Sequence, residues 1–245
     1  MELNGHRFDI TQVYKNVGRP RGEVFYGVEL ELAISNYDSL TEHERWRFYD
    51  EVVAGFGKEF ATLKRDGSVP DGLEIVTVPA SLLVHRKRWQ QWFAKAPSSL
   101  VASAACGMHV HFSKAPLTKA QRGRIHQLIN HPANRGWVEK LAGRKIGPNA
   151  TYAQACPKDP GHEEDQFPKG KYEALNLSPA RTCEMRIFAA TTDPTRFMTN
   201  LEAVAAMVHF TQSQPPDAPL TRESLVKFAS DRSKLYPAFV EWSCR

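Results

Sequence analysis

The chain has 245 residues, of which 42% are hydrophobic and 24% charged, as in an ordinary folded globular protein. No stretch approaches the roughly 18 apolar residues of a membrane span, and the first residues lack a signal-peptide pattern, so we expect a cytoplasmic protein without a membrane partner. The four cysteines form no C-x-x-C pair, which excludes a zinc knuckle or redox motif and predicts free thiols: Cys106, Cys156, Cys183 and Cys244.

The sequence of the first part of the chain predicts alternating strands and helices. Residues 1–22 carry several glycines and a proline, which predicts an irregular arm ahead of a first strand at 25–34. Thr41 and Glu44 form a T-x-x-E capping box at the start of a helix that runs to about residue 54. A β-branched run at 73–78 predicts the next strand.

Residues 81–96 have the pattern of an amphipathic helix. We expect Leu83 on its apolar side with the tryptophans, and His85 on its polar side with the basic residues. Asp193 and Pro194 predict a later helix start, with aspartate as the N-cap and proline in the first turn. The remaining elements are a strand at 105–112, helices from 118 and at 134–141, strands at 172–177 and 182–189, and the long apolar helix from 194 to about 211.

The segment 143–171 differs from its surroundings because it is rich in proline and glycine and carries an acidic run at 163–165. A loop this long in a compact domain is usually functional or disordered, and we expect a lid or acceptor-binding loop. The chain therefore divides into the arm 1–22, a main domain at 23–214 that contains this loop, and a C-terminal helical extension at 215–245.

Four predicted strands each have an apolar face and a face that carries Glu, His or Arg. In the first strand Glu29 and Glu31 alternate with apolar residues, which places both carboxylates on one face, roughly 6.5–7 Å apart. Their repulsion is on the order of 2 kcal/mol at an effective dielectric constant near 20, a cost that vanishes on a solvated face but not in a cleft. The later strands repeat the arrangement with these residues: Glu74; His109 and His111; Glu184 and Arg186. An ordinary wet face of an antiparallel sheet is the alternative for each strand taken singly.

If the polar faces are coplanar, the carboxylates and imidazoles converge and require cations. Hard oxygen ligands with some imidazole suit magnesium or manganese, and more than one ion. Asp66 could add a carboxylate at the edge of the second strand. The H-x-H pair is also a fragment of zinc sites, but the predominance of glutamate favours a harder ion. Since the sequence has neither a Walker loop nor a G-x-G-x-x-G motif, a nucleotide would be held through metal-bridged phosphates and basic side chains.

Four motifs in this order resemble the glutamine synthetase superfamily of carboxylate–amine ligases, and most closely its short amidoligase branch, which is related to glutamate–cysteine ligase. The motifs are G-V-E-L-E at 27–31; D-G-S at 66–68 with G-L-E-I-V-T-V-P at 72–79; C-G-M-H-V-H-F-S at 106–113; and T-C-E-M-R-I-F at 182–188, followed by Asn200 and Glu202. The resemblance implies an α+β fold like the glutamine synthetase catalytic domain over residues 23–214. That fold has a curved, mostly antiparallel sheet, helices on its apolar face and a polar concave active-site face.

The resemblance also implies an activity: ATP phosphorylates a carboxylate, and an amine then attacks the acyl phosphate to form an amide. The substrates would be a small-molecule or peptide carboxylate and an amine. By resemblance, the ligands of two or three magnesium or manganese ions would be Glu29, Glu31, Asp66, Glu74, His109 and Glu184. Arg186 would contact the transferred phosphoryl group or the substrate carboxylate, and His111 would lie beside the nucleotide or that phosphoryl group. The next candidates for contacts to the ATP phosphates are Lys64, Arg65 and Arg181. Because the separate amino-terminal domain of glutamine synthetase is missing, no ring assembly is implied and the oligomeric state stays open.

Two alternatives belong to other classes of protein. The same fold could transfer a phosphoryl group to another acceptor or hydrolyse it. The net charge of +5 and a pI of about 9.0 weakly favour a polyanionic partner, so a non-enzymatic nucleic-acid-binding accessory protein is the second alternative. Its basic surface would comprise Arg86, Lys87, Arg88, Arg122, Arg124, Arg144 and Lys145. No aromatic residues accompany these charges on a strand, as they do in single-strand readers, so this alternative is not favoured.

Overall fold

The computed structural model describes residues 23–57, 59–65, 67, 69–147, 153–154 and 170–245. By their contacts the described residues divide into two compact units, the first within 1–109 and 189–194, and the second within 110–188 and 195–245. Strands and helices occur in both, and the strand pairings are mostly antiparallel. The predicted α+β class with a mostly antiparallel sheet is therefore confirmed.

The first unit is built around strand β1, which lies between β3 and the start of β5. On the far side of β3 lies β2, and the short β4 pairs with the end of β1. The elements of this unit are β1 (Tyr26–Ile34), a 3₁₀ turn (Tyr37–Ser39), α1 (Glu42–Ala54), β2 (Ala61–Lys64), β3 (Gly72–Thr77), α2 (Leu82–Phe93), β4 (Leu100–Val101) and the first residues of β5 (Gly107–Ser113).

The predicted capping box at the start of α1 is confirmed. The Thr41 hydroxyl accepts a hydrogen bond from the Glu44 backbone N–H at 3.3 Å, and the Glu44 carboxylate accepts one from the Thr41 N–H at 2.8 Å. The Glu44 carboxylate also accepts a bond from the Thr41 hydroxyl at 2.7 Å, and this bond, together with the one from the Thr41 backbone N–H, lowers the pKa of Glu44. Helix α2 begins in a similar way, since the Ser81 hydroxyl accepts from the Val84 N–H. Both helix starts follow from local sequence alone.

The two faces of α2 differ from the prediction at two residues. His85, expected on the polar side, is completely buried, and its Nε2 lies 2.6 Å from the carbonyl oxygen of Tyr26. Leu83, expected on the apolar side, is 70% exposed. The buried stripe follows the i, i+4, i+7 spacing of His85, Trp89 and Trp92, and Leu83 lies about 200° around the helix from His85.

Aromatic rings form much of the apolar layer of the first unit. The ring of Phe56 stacks on Trp92 at a centroid distance of 5.1 Å and meets Trp89 edge-on at 4.7 Å. The Trp92 indole N–H donates to the carbonyl of Val52 on α1 at 3.1 Å, so the polar atom of this buried ring is satisfied. This layer joins α2 to α1.

Gly72, the first residue of β3, pairs with Ala33 of β1 and has no room for a side chain. A Cβ atom at this position would lie 2.3 Å from the Leu32 carbonyl oxygen and 2.5 Å from Val69 Cγ1. Any side chain would therefore push β3 away from β1. The register of these two strands, which places Glu74, depends on this glycine.

The second unit combines the remainder of β5, which lies beside β7, with a set of helices. Its elements are α3 (Lys119–Asn130), a 3₁₀ turn (Pro132–Asn134), α4 (Arg135–Ala142), β6 (Leu175–Asn176), β7 (Thr182–Ala189), α5 (Pro194–Ser213), α6 (Arg222–Ser230) and α7 (Pro237–Ser243). The prediction for β7 is confirmed residue by residue. The strand predicted at 172–177 is shorter, because only Leu175 and Asn176 pair with β7.

Helix α5 forms the centre of the second unit, with all residues from Phe197 to Val208 buried. Its Glu202 is completely buried, and one carboxylate oxygen accepts the backbone N–H groups of Ala238 and Phe239 at 2.8 and 3.1 Å. These donors belong to the first turn of α7, where backbone N–H groups have no partner within the helix. Glu202 therefore ties the C-terminal helices to α5.

Several predictions fall on residues outside those described: the arm 1–22, Asp66, Cys156 and most of the segment 143–171, including its acidic run. In the described ranges Cys106, Cys183 and Cys244 are free thiols, as expected. None of the helices that the structure describes has both the length and the apolar composition needed to cross a bilayer.

Candidate metal centre

The register of β1 and β3 places the acidic residues of the first unit on one face. Glu31 lies directly opposite Glu74, while Leu30 lies opposite Ile75 on the other face, where both leucine and isoleucine are fully buried. Glu29 shares the face of Glu31 because it is two residues away. Like charges directly across a strand pair destabilise it, so this face requires compensating positive charge or hydrogen-bond donors.

Three of the predicted ligands meet on this face. One ligand atom from each of Glu29, Glu74 and His109 lies within 4.8 Å of the other two. The side chains of His109 and Glu74 are almost entirely buried, whereas that of Glu29 is 22% exposed. His109 Nδ1 lies 3.3 Å from Glu29 Oε2. Two carboxylates and an imidazole at this spacing fit a single divalent cation, since all three groups coordinate manganese or magnesium in proteins.

Glu31 has a different position from the one predicted by resemblance. Its carboxylate accepts a hydrogen bond of 2.6 Å from the backbone N–H of Gly107, and it belongs to none of the groups of converging ligand atoms found among the described residues. Gly107 begins β5 and lies two residues before His109. Glu31 thus supports the strand that carries His109, and whether it also binds a metal stays a prediction.

Two of the three basic residues predicted to contact the ATP phosphates, Lys64 and Arg65, belong to the first unit. Lys64, the last residue of β2, is paired with Glu74 in the register of β2 and β3, so both side chains leave the sheet on the same side. Lys64 and the adjacent Arg65 are both exposed. Their charges are therefore accessible to an anion in solution.

In the second unit, Glu184 and Arg186 form a buried ion pair through Glu184 Oε1 and Arg186 Nη1. The other oxygen, Glu184 Oε2, accepts from Asn176 Nδ2 at 2.8 Å. The sequence analysis did not identify Asn176 as a site residue. What brings it to Glu184 is the pairing of β6 with β7, and local sequence patterns do not predict that register. Both oxygens of Glu184 thus have a partner within this unit, and its role as a metal ligand stays a prediction.

Further hydrogen bonds in the second unit involve β7 and the residue before it. His111 Nδ1 lies 3.5 Å from the Thr182 hydroxyl, and the exposed Arg181 accepts the Lys114 N–H through its carbonyl at 3.0 Å. Arg144, which was placed on a basic surface, instead donates to the backbone carbonyls of Arg186 and Ile187. It thereby binds β7 near the point where pairing with β6 ends.

The basic surface of the nucleic-acid alternative is reduced by such contacts. Arg124 is buried and donates to the carbonyls of Gln214 and Ala218. Arg88 donates to the carbonyl of Phe56, and Arg122 donates to that of Leu117. The buried Arg124 therefore does not belong to an exposed basic surface, whereas Arg88 is exposed and Arg122 is half-buried, so their part in such a surface stays a prediction.

Neither a protein-family model nor a curated protein matches this sequence. In the first unit the converging ligand atoms belong to Glu29, Glu74 and His109.

Proposed function

We propose that this chain is an ATP-dependent carboxylate–amine ligase in which Glu29, Glu74 and His109 bind a magnesium or manganese ion. The observation that carries the proposal is the convergence of their three ligand atoms within 4.8 Å on one face of the first unit. The resemblance of the four motifs extends the proposal from a cation to ATP and amide formation. ATP binds as a complex with a divalent ion in such enzymes, so the cation is the feature to test first.

The three ligands differ in what they contribute. His109 and Glu74 are nearly buried, so their positions are fixed by the sheet, whereas the partly exposed Glu29 faces the side from which an ion enters. The contact between His109 Nδ1 and Glu29 holds the imidazole in place. When bound, the cation would neutralise phosphate charge and so lower the barrier to attack by an anionic carboxylate.

Arg186 is the residue that we propose contacts the anionic substrate or the transferred phosphoryl group. Its charge is kept in a buried position by Glu184, whose second oxygen is held by Asn176. A guanidinium has five N–H donors in a fixed fork, so one bonded to a carboxylate can still bind an oxyanion. Lys64 and Arg65 are exposed cations suited to the outer phosphates.

The first test measures manganese binding by isothermal titration calorimetry in the wild type, Glu29→Gln and Glu74→Gln. Loss of one anionic ligand should weaken binding at least roughly tenfold. Glu51→Gln is the matched control, because Glu51 is an exposed glutamate on α1 of the same unit. Unchanged manganese affinity in both ligand variants, with the wild-type circular dichroism spectrum, would contradict the metal centre.

The second test follows ADP release with pooled carboxylates and amines, with products identified by mass spectrometry. An amide together with ADP and phosphate supports the ligase, whereas a phosphorylated product supports the phosphoryl-transfer alternative. Glu29→Gln should abolish turnover and Glu51→Gln should not. ADP formation that is unchanged without divalent metal would refute the proposed mechanism.

A further inference from the structure

A pocket of about 380 Å³ lies within the second unit, where helices α4, α6 and α7 meet. Its lining includes two tryptophans and three basic residues, Trp137, Trp242, Lys140, Arg222 and Arg245, and no carboxylate side chain. None of these residues belongs to the candidate metal centre. Ligand pockets commonly measure roughly 300–1,000 Å³, so this volume suits one small molecule.

The positive charge of the pocket is only partly compensated. Lys140 Nζ donates to no described residue, and its recorded contact is with the ring of Trp242 at 6.0 Å. Arg222 lies 3.8 Å from Glu223 and donates to the Ser243 carbonyl at 3.3 Å, while Arg245 pairs with Glu241. Amines and guanidinium groups of this kind bind phosphate and carboxylate groups.

Two indoles, those of Trp137 and Trp242, line the pocket. The Trp242 ring stacks on Phe239, and the Arg196 guanidinium lies 5.7 Å from the Trp242 ring centroid, so two neighbouring side chains hold this ring. Tryptophan faces stack well on planar heterocycles.

We propose that this pocket binds a small aromatic anion of the nucleoside monophosphate type. The heterocycle would lie against Trp137 and Trp242, and the phosphate would bind Lys140 and Arg222. The ligand needs both a ring and a phosphate. A ring alone would give Lys140 no anionic partner, and a bare phosphate would leave the two indoles without a stacking partner. The inference is independent of the proposed ligase function, since it uses other residues.

The test is isothermal titration calorimetry of the full chain with adenosine 5′-monophosphate, without divalent metal, at low salt. Replacing Lys140 by Gln should raise the Kd roughly tenfold or more, as for loss of a charge-assisted hydrogen bond, and Lys140→Arg should restore most of the affinity. Lys234→Gln is the matched control, an exposed lysine of the same unit outside the pocket. Glu29→Gln should leave this Kd unchanged, which separates the pocket from the metal centre.

Ribose 5-phosphate, inorganic phosphate and a single-stranded oligonucleotide form the other arms of the experiment. Adenosine 5′-monophosphate should bind more tightly than ribose 5-phosphate, and inorganic phosphate should bind most weakly. Equal affinity for the first two would overturn the aromatic part of the proposal. No binding of any probe, or no difference between Lys140→Gln and Lys234→Gln, would overturn the site. Much tighter binding of the oligonucleotide, reduced equally by both lysine variants, would show a nucleic-acid surface in place of a small-molecule pocket.

Discussion

His85 illustrates how the surroundings of one residue decide its chemistry. His85 lies on α2, its ring lies beside that of Phe60, and its Nε2 contacts the Tyr26 carbonyl oxygen. Burial lowers the pKa of His85 from 6.5 to about 4, although the hydrogen bond to Tyr26 acts in the opposite direction. The same cause lowers the pKa of His126, in the second unit, to about 4. Both imidazoles are therefore neutral in the folded protein at neutral pH.

We expect the free energy of unfolding to fall as the pH is lowered from 6.5 towards 4. Over this window the unfolded chain protonates His85, whose unfolded pKa is 6.5, while the folded protein does not. The contribution of His85 is complete above pH 6.5 and disappears at about pH 4, a loss of about 3 kcal/mol. Urea denaturation between pH 4 and 7 should show a smaller loss in His85→Gln, which retains a donor for Tyr26.

His43→Gln is the control for this experiment. His43 is an exposed histidine on α1, so its replacement should leave the pH dependence of the wild type unchanged. A pH dependence of unfolding in His85→Gln equal to that of the wild type would show that His85 does not contribute.

At the scale of elements, the pairing of β1 with β3 positions the candidate metal centre. The register sets Glu31 opposite Glu74 and brings Glu29 close enough to Glu74 and His109 for their ligand atoms to converge. Because the side-chain period of a strand is two residues, a slip by one residue would move Glu74 to the opposite, apolar face of the sheet. The close approach at Gly72 helps to fix this register.

Gly72→Ala should destabilise the protein by about 1–3 kcal/mol, as other overpacking substitutions do. The added methyl group would collide with the Leu32 carbonyl, and manganese affinity should fall as β3 shifts. Thermal denaturation and manganese calorimetry measure the two effects. Gly67→Ala is the control, since a Cβ at Gly67 meets nothing within 4 Å. Equal stability of the two variants would show that β1 and β3 accommodate the methyl group.

Local patterns predicted most of the elements but not their partners. The capping box at Thr41 and the β7 strand follow from short stretches of sequence, because helix caps and strand alternation are local. The roles of Asn176 and Arg144 depend on contacts with residues 8 and 42 or 43 positions away. Local sequence patterns do not show which distant residues will be in contact. The burial of His85 was missed for the same reason, because its partner Tyr26 lies on the distant strand β1.

At the scale of the whole molecule, the second unit takes its residues from both sides of the segment 189–194. The sequence predicted a C-terminal helical extension from residue 215 onward. In the structure the helices of this region pack on α5. Phe228 meets Phe210 at 5.5 Å, and the Tyr236 hydroxyl lies 2.6 Å from His209 Nδ1. Tyr236 and Phe239 are fully buried, so α6 and α7 complete this core.

Removal of residues 215–245 should therefore unfold the second unit. Losing a single buried aromatic side chain typically costs about 3–5 kcal/mol, and the deletion removes several while leaving Glu202 without its two helix donors. The total exceeds the usual stability of about 5–15 kcal/mol. Circular dichroism and expression in the soluble fraction measure the outcome. A chain lacking only the exposed Cys244 and Arg245 is the control, and a deletion variant that melts like this control would contradict the prediction.

Gly72 also has a consequence for genetics. A screen for variants that no longer bind metal should recover substitutions at this glycine, although it has no side chain and ligates nothing. Neighbouring apolar positions such as Leu73 can tolerate substitution, because another apolar residue can fill the same space. Position 72 cannot, because a side chain there would collide with the carbonyl of Leu32. Among descendants of this chain that retain the centre, we expect glycine at position 72 to persist alongside the glutamates and the histidine.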